Sequence, residues 1–252
     1  MSVTHYIAYN GYGYFEDGST PELSRHALIT SDYVYVPVDT SIEIPFYTED
    51  DIEIVYTRNG SQTTVDTASD FVGTAESSVK YVTFTPNTND TPYDIQVYND
   101  GQTSLLKTIK LTPICEPKYT SIQCYFMNKY GVLQQMYFFK RSDENISVTD
   151  DLFKRNTLTS SATYSTEKHQ NKRFNINAQT SLRLNTGFVN EDFNSTIKEL
   201  FLSEYVWLVY NGNKLPSVPK SKQLRYKVNV NDKLIDYTIE FDFAFDTINS
   251  VR

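Results

Sequence analysis

The sequence predicts a mainly β protein: an N-terminal immunoglobulin-like β-sandwich followed by an antiparallel β domain with one short α-helix. Three observations lead there. Tyr (20) and Phe (15) are abundant while Met (3) is scarce, a composition that suits pleated, half-buried surfaces better than a helical bundle. Apolar and polar residues alternate over long runs near the C-terminus, and period two marks a strand with one dry face. Between Tyr33 and Leu111, short apolar runs recur at the spacing of a sandwich, separated by turn formers such as Arg58-Asn59-Gly60-Ser61.

Taken in order, residues 1–30 form an N-terminal arm in which Tyr6, Tyr9, Tyr12 and Tyr14 are interleaved with Gly11 and Gly13. It reads either as a first strand with a turn or as a segment that orders against a neighbouring subunit, and the four tyrosines are candidate interaction residues. Residues 31–112 make the sandwich, with strands expected at Tyr33–Val38, Ile42–Tyr47, Ile52–Thr57, Val79–Thr85, Tyr93–Asn99 and Leu105–Leu111. Pro45 has no N–H for a ladder, so its strand belongs at an edge or carries a bulge. The last two strands close a hairpin around Asp100-Gly101. Residues 113–118, with Pro113 and Pro117, are the expected linker, because neither strand nor helix continues comfortably through two prolines.

Residues 119–252 form the expected antiparallel β assembly domain. Two strands flank Lys129-Tyr130-Gly131, and Phe174–Leu184 returns to alternation. Between them, residues 142–173 are polar and aperiodic and read as a long exposed loop used in assembly; its basic end, Lys168–Arg173, reads as a solvated charged run. A helix is expected at about 190–203, with Asn190 as cap, Glu191 and Asp192 in the first turn, and Phe193, Ile197, Leu200 and Phe201 on one face. Thr186 and Gly187 make a tight turn into that helix, and Ser203 and Glu204 mark its exit; these four complete the candidate interaction residues. Trp207, the only tryptophan, is expected in the core.

The cleanest pattern closes the chain. Leu224, Tyr226, Val228 and Val230 alternate with polar residues, as do Ile235, Tyr237, Ile239, Phe241, Phe243 and Phe245. An Asp232-Lys233 turn would set Val230 opposite Ile235 and Leu224 opposite Phe241, with Arg225 beside Glu240. The second strand, Ile235–Asp246, would run about 40 Å at roughly 3.3 Å per residue. Phe241, Phe243 and Phe245 should face the core, and Asp236, Glu240 and Asp242 the solvent.

The residues that carry chemistry are scattered. His5, His26 and His169 lie far apart, Cys115 and Cys124 lack metal-hook spacing, and Gly11-Tyr12-Gly13 lacks the third glycine of a phosphate loop. Glu49, Asp50, Asp51 and Glu53 lack the glycine and alternation of a calcium loop and read as a solvated turn. No catalytic, metal or cofactor residue is therefore assigned, and a non-enzymatic role is expected. The formal charge of −8 disfavours broad binding to nucleic-acid backbone, though not transient passage of DNA. The start, Met-Ser-Val-Thr-His-Tyr, has neither a basic nor an apolar run, so no signal peptide or membrane insertion is expected and both thiols should be free in a reducing cytosol.

Across residues 115–252 a set of spaced positions stands out: Cys124-Tyr125-Phe126-Met127-Asn128-Lys129-Tyr130-Gly131, Phe138-Phe139, Asn185-Thr186-Gly187-Phe188, Ile197-Lys198-Glu199-Leu200, Leu202-Ser203-Glu204, and Tyr237 with Glu240-Phe241. This set resembles a family of tailed-bacteriophage structural proteins from phages of Bacteroidetes, including crAss-like phages. The resemblance implies a virion component made in the host cytoplasm. It would be a subunit of a closed homo-oligomeric ring in the neck or short tail, next to portal, neck or tail proteins. The alternative is a host-surface module whose aromatic-rich N-terminal domain stacks on carbohydrate.

Overall fold

The computed structural model describes residues 11–18, 27–48, 52–66, 78–116, 118–221 and 234–248, and the protein is mainly β with one short α-helix. The strands are β1 (Tyr33–Pro37), β2 (Ile42–Thr48), β3 (Ile52–Arg58), β4 (Ser61–Asp66), β5 (Ser78–Phe84), β6 (Tyr93–Asn99), β7 (Leu105–Ile114), β8 (Ile122–Met127) and β9 (Leu133–Phe138). There follow β10 (Asp143–Lys154), β11 (Asn171–Asn185), β12 (Val189–Asn190), helix α1 (Asn194–Leu202), β13 (Val206–Tyr210), β14 (Asn213–Pro219), β15 (Leu234–Ile235) and β16 (Thr238–Phe243).

All six strands expected before residue 112 are present, and β4 is an addition, turned from β3 at Asn59-Gly60, where both residues have positive φ. One sheet has the order β1-β7-β6-β3-β4, with β1 and β7 parallel, and a second sheet pairs β2 with β5. Pro45 sits on β2, whose ladder partner is β5, and its carbonyl accepts the Leu28 N–H at 2.9 Å. The linker reading is corrected in one respect: β7 continues through Pro113 to Ile114 beside Val36 and Pro37. It can do so because β6 pairs with β7 only as far as Leu111, so the missing N–H of Pro113 interrupts no ladder on that side.

The larger sheet has the order β10-β11-β16-β14-β13-β8-β9. Its core face carries Cys124, Phe126, Met136, Leu182, Leu184, Leu208, Ile239 and Phe241, all buried, and α1 covers it with Ile197 and Leu200. Asn190 starts the helical segment by accepting the Asp192 N–H, as its side chain predicts. The β9 edge packs beside β1 and β2: Glu43 bonds Gln135, the Tyr137 hydroxyl donates to the Ser41 carbonyl at 2.6 Å, and Asn128 donates to the Leu28 carbonyl at 2.7 Å. Buried side chains from both halves of the chain thus belong to one contiguous cluster.

Two expectations are overturned here. Residues 142–173 are not one loop: β10 takes up 143–154 and β11 begins at Asn171, the two pairing antiparallel from Asp143↔Arg183 out to Lys154↔Asn171, and only 155–170 connect them without strand. The C-terminal strand is shorter than expected. Asp236 and Tyr237 separate β15 from β16, where the Thr186 hydroxyl accepts the Tyr237 N–H and the Thr186 N–H donates to the Tyr237 carbonyl.

Phe241 lies between Leu182 of β11 and Pro219 of β14, which leaves no free edge for Leu224. The rest of the expected pairing at Leu224–Val230, the turn at Asp232-Lys233 and Arg225 fall outside the described residues. Glu240 pairs with Lys220 at 2.6 Å. Phe241 and Phe243 are buried, whereas Phe245 lies past the end of the strand and is exposed. Trp207 is corrected as well: Val206 and Leu208 point into the core, so alternation turns Trp207 outward, half-buried beside Tyr125.

Candidate interaction site

Of the eight expected interaction residues, Tyr6 and Tyr9 lie outside the described residues. The structure brings together Tyr12, Ser203 and Glu204. They line a cleft of about 200 Å³ with Gly11, Met127 and Tyr205. The backbone builds it: the Tyr12 N–H donates to the Lys129 carbonyl at 2.8 Å, and the Ser203 hydroxyl accepts the Met127 N–H at 3.0 Å while donating to the Tyr205 carbonyl. Tyr14 packs edge-on against Tyr12, with Lys198 Nζ 3.7 Å above its ring, and Glu16 pairs with Lys198 at 2.7 Å. Residues 11–18 therefore lie on the chain's own α1 and β8–β9 turn rather than forming a strand.

Beneath this segment is a residue that the helical spacing alone does not mark. Glu199 is fully buried on α1 and takes a hydrogen bond from the Thr30 hydroxyl. Burial pushes its carboxyl above the usual range, partly offset by the Thr30 bond and the nearby Lys129 and Lys107. Burial, and the charge of Glu199, in turn push the Tyr12 hydroxyl up to about 12. A charge at an i+2 offset from Ile197 would have been the sequence signal, but it reads equally as a solvated position.

Thr186 and Gly187 are placed elsewhere, and inside the fold. Thr186 is fully buried in its bonds to Tyr237, and Gly187 has φ +71° with the Phe139 ring so close that a Cβ would lie 2.1 Å from it. Asn185 holds the turn, accepting the Gly187 N–H at 2.7 Å and donating to Asp236 and Thr238.

The surface that sequence reasoning undervalued is the β10–β11 ribbon. Every residue of β10 after Asp143 is exposed, as are the first six of β11. By ladder parity Ile146 and Val148 share the face that carries Leu182 at the root, and Leu152 continues it. They stand 60 %, 50 % and 68 % exposed, so the apolar face of the core runs outward beyond the body that covers it. At Asn175, with φ 51°, the ladder gains one residue on β11. Phe174 thereby comes opposite Asp151 and meets Phe153 edge-on at 5.6 Å. Arg173 braces the kink with two bonds to Asp150, at 2.8 and 3.0 Å. The tip folds around an open hollow of about 880 Å³ bordered by Lys154, Arg155, Leu158, Tyr164 and Lys168.

β10 is also the last strand of its sheet, and among the described residues its outer edge has no ladder partner. The opposite sheet edge, β9, packs beside β1 and β2, with Glu43 and Ser41 bonded to Gln135 and Tyr137, whereas the β10 end is exposed along its length. Elsewhere, Cys115 is exposed and Cys124 buried, both free, and burial pushes the Cys124 thiol far up. No helix among the described residues is long and apolar enough to cross a membrane, and no group of three or more His, Cys, Asp or Glu among them could hold a metal ion. No protein-family model matches the chain, and neither a curated protein nor a solved structure matches it.

Proposed function

We propose that the chain is a non-enzymatic structural subunit of a phage particle. Copies of it form a homo-oligomeric ring in the neck or short tail, which connects the portal to the distal tail and helps form the DNA channel. The observation that carries this reading is the β10–β11 arm, with aliphatic side chains displayed on a projecting ribbon that ends in an unpaired edge. Exposed apolar surface and open strand edges favour association, and in a ring each copy can cover its neighbour's. Residues 31–112 fit an immunoglobulin-like arrangement in this proposal: the parallel contact of β1 with β7, the run β7-β6-β3-β4 and the separate β2–β5 pair are the strand neighbours such a sandwich uses.

The host-surface reading has one observation in its favour. Trp207, on the outward face of β13, stacks at 6.0 Å with Tyr205 just before the strand, although Lys214 sits 3.8 Å above the adjacent Tyr125 and 5.1 Å above Trp207. Light scattering and negative-stain images of the purified full chain separate the readings. A closed multimer supports the ring; a monomer at high concentration that binds immobilised glycans overturns it in favour of the surface module.

A further inference from the structure

We infer that the β10–β11 arm docks on residues 31–112 of a second copy of this chain, a contact that rests on the ring reading and names the surfaces it uses. Charge distinguishes the two surfaces. Between residues 154 and 173 there are five Lys and Arg against one Glu, in a chain whose formal charge is −8. Between residues 31 and 112 there are thirteen Asp and Glu against four Lys and Arg. The two regions carry opposite signs. Arg173 is committed to Asp150, but Lys154, Arg155, Lys168 and Lys172 are exposed, and no ion pair to them forms among the described residues. On the other side Asp39, Glu43, Asp94 and Asp100 are exposed, as is Asp32, which pairs with Lys107 at 3.3 Å.

Like charges disfavour arm-to-arm pairing of β10 edges, because Glu144 and Asp151 would meet acidic residues of the other copy, Asp143 and Asp150 being paired with Arg141 and Arg173. Attraction between unlike regions of identical chains produces a heterologous contact, which repeats around a ring. Nucleic acid is the other polyanion a basic tip could meet. The same ribbon, however, displays Ile146, Val148 and Leu152, and a phosphate backbone gives such side chains nothing to bury against. A protein surface satisfies both the cations and the aliphatics.

The test mixes normal and nitrogen-15-labelled full-length chain, joins amines to carboxylates with a zero-length crosslinker, and maps mixed-isotope pairs by mass spectrometry. The expected pairs join Lys154, Lys168 or Lys172 to a carboxylate between residues 31 and 112. Lys154→Glu with Arg155→Glu and Lys168→Glu should cut the assembled fraction at least tenfold with unchanged melting, and 0.5 M salt should weaken assembly of the unaltered chain. Assembly with crosslinks from the arm to other segments, or assembly that survives the charge reversal, overturns the inference and leaves the ring. A chain that never leaves the monomer overturns both. Double-stranded DNA that competes with self-association for the arm makes nucleic acid the partner instead.

Discussion

Strands β16 and β10 belong to the same sheet and have opposite characters. β16 is short, lies between β11 and β14, and buries Ile239, Phe241 and Phe243. β10 is twice as long, has one ladder partner among the described residues, and leaves nearly every side chain in solvent. Strand β11 belongs to both regimes: Leu182 and Leu184 are buried at its root, while Phe174 and Ile176 are exposed towards its tip. Pairing alone therefore does not decide what a strand does here. A strand covered on one face holds the fold, and one that leaves that cover is free to serve another molecule.

The contrast can be broken most sharply at Phe241, which is 1 % exposed and packs on Phe138 at 5.6 Å. Phe241→Ala should cost about 3–5 kcal/mol in denaturant melts. Ile146→Ser with Val148→Ser and Leu152→Ser should stay within about 0.5 kcal/mol per site when both chains are melted at a dilution that keeps them monomeric, since within one copy no contacts with a covering layer are lost. A comparable loss at both would erase the distinction.

Next in size is Gly187→Ala, which imposes a left-handed conformation on a Cβ that also meets Phe139. About 3 kcal/mol is expected in the same melts. An unchanged midpoint would mean that the Thr186-Gly187 turn is not the lock described for β15 and β16.

Glu199 sharpens the comparison from the buried side. Its folded carboxyl titrates above the unfolded value, so the folded state binds more protons in the interval between the two, and stability falls as pH rises through it. Glu199→Gln keeps an acceptor for Thr30 and removes the buried charge. The melting temperature of the variant should match the unaltered chain near pH 4 and exceed it increasingly towards neutrality; a gap that narrows with rising pH would show that the Lys129 and Lys107 attractions dominate instead.

The smallest effect concerns the thiols: Cys115 should react with a maleimide at once, and Cys124 only on unfolding. Equal rates would place Cys124 outside the core.

The same comparison explains what was legible in the sequence. Period-two alternation marks a strand only when one face is wet and the other dry, which holds for β3, β6 and β16 and made them readable. β10 is wet on both faces, so Asp-Glu-Asn-Ile-Ser-Val-Thr-Asp-Asp-Leu-Phe-Lys shows little net alternation and reads as a loop, although its β-branched residues suit a ladder. β4 was missed for the same reason. The helix and its Asn190 cap were readable because capping is local. The neighbours of β16 were not, since Leu182 and Pro219 lie tens of residues away in sequence and local alternation favours the nearest run. At the candidate site, Tyr12, Ser203 and Glu204 were marked individually, but the sequence contained nothing to say that they meet.

The claim that the arm is made for assembly rather than for stability is tested most directly by the native mass of the full chain and of the Ile146→Ser, Val148→Ser, Leu152→Ser variant, measured at the same concentration with their melting temperatures. The account predicts a closed multimer for the former and a monomer for the latter, with melting temperatures that converge to within a few degrees when both are diluted to monomers. A variant that still assembles, or a chain that is monomeric with its arm intact, would contradict it.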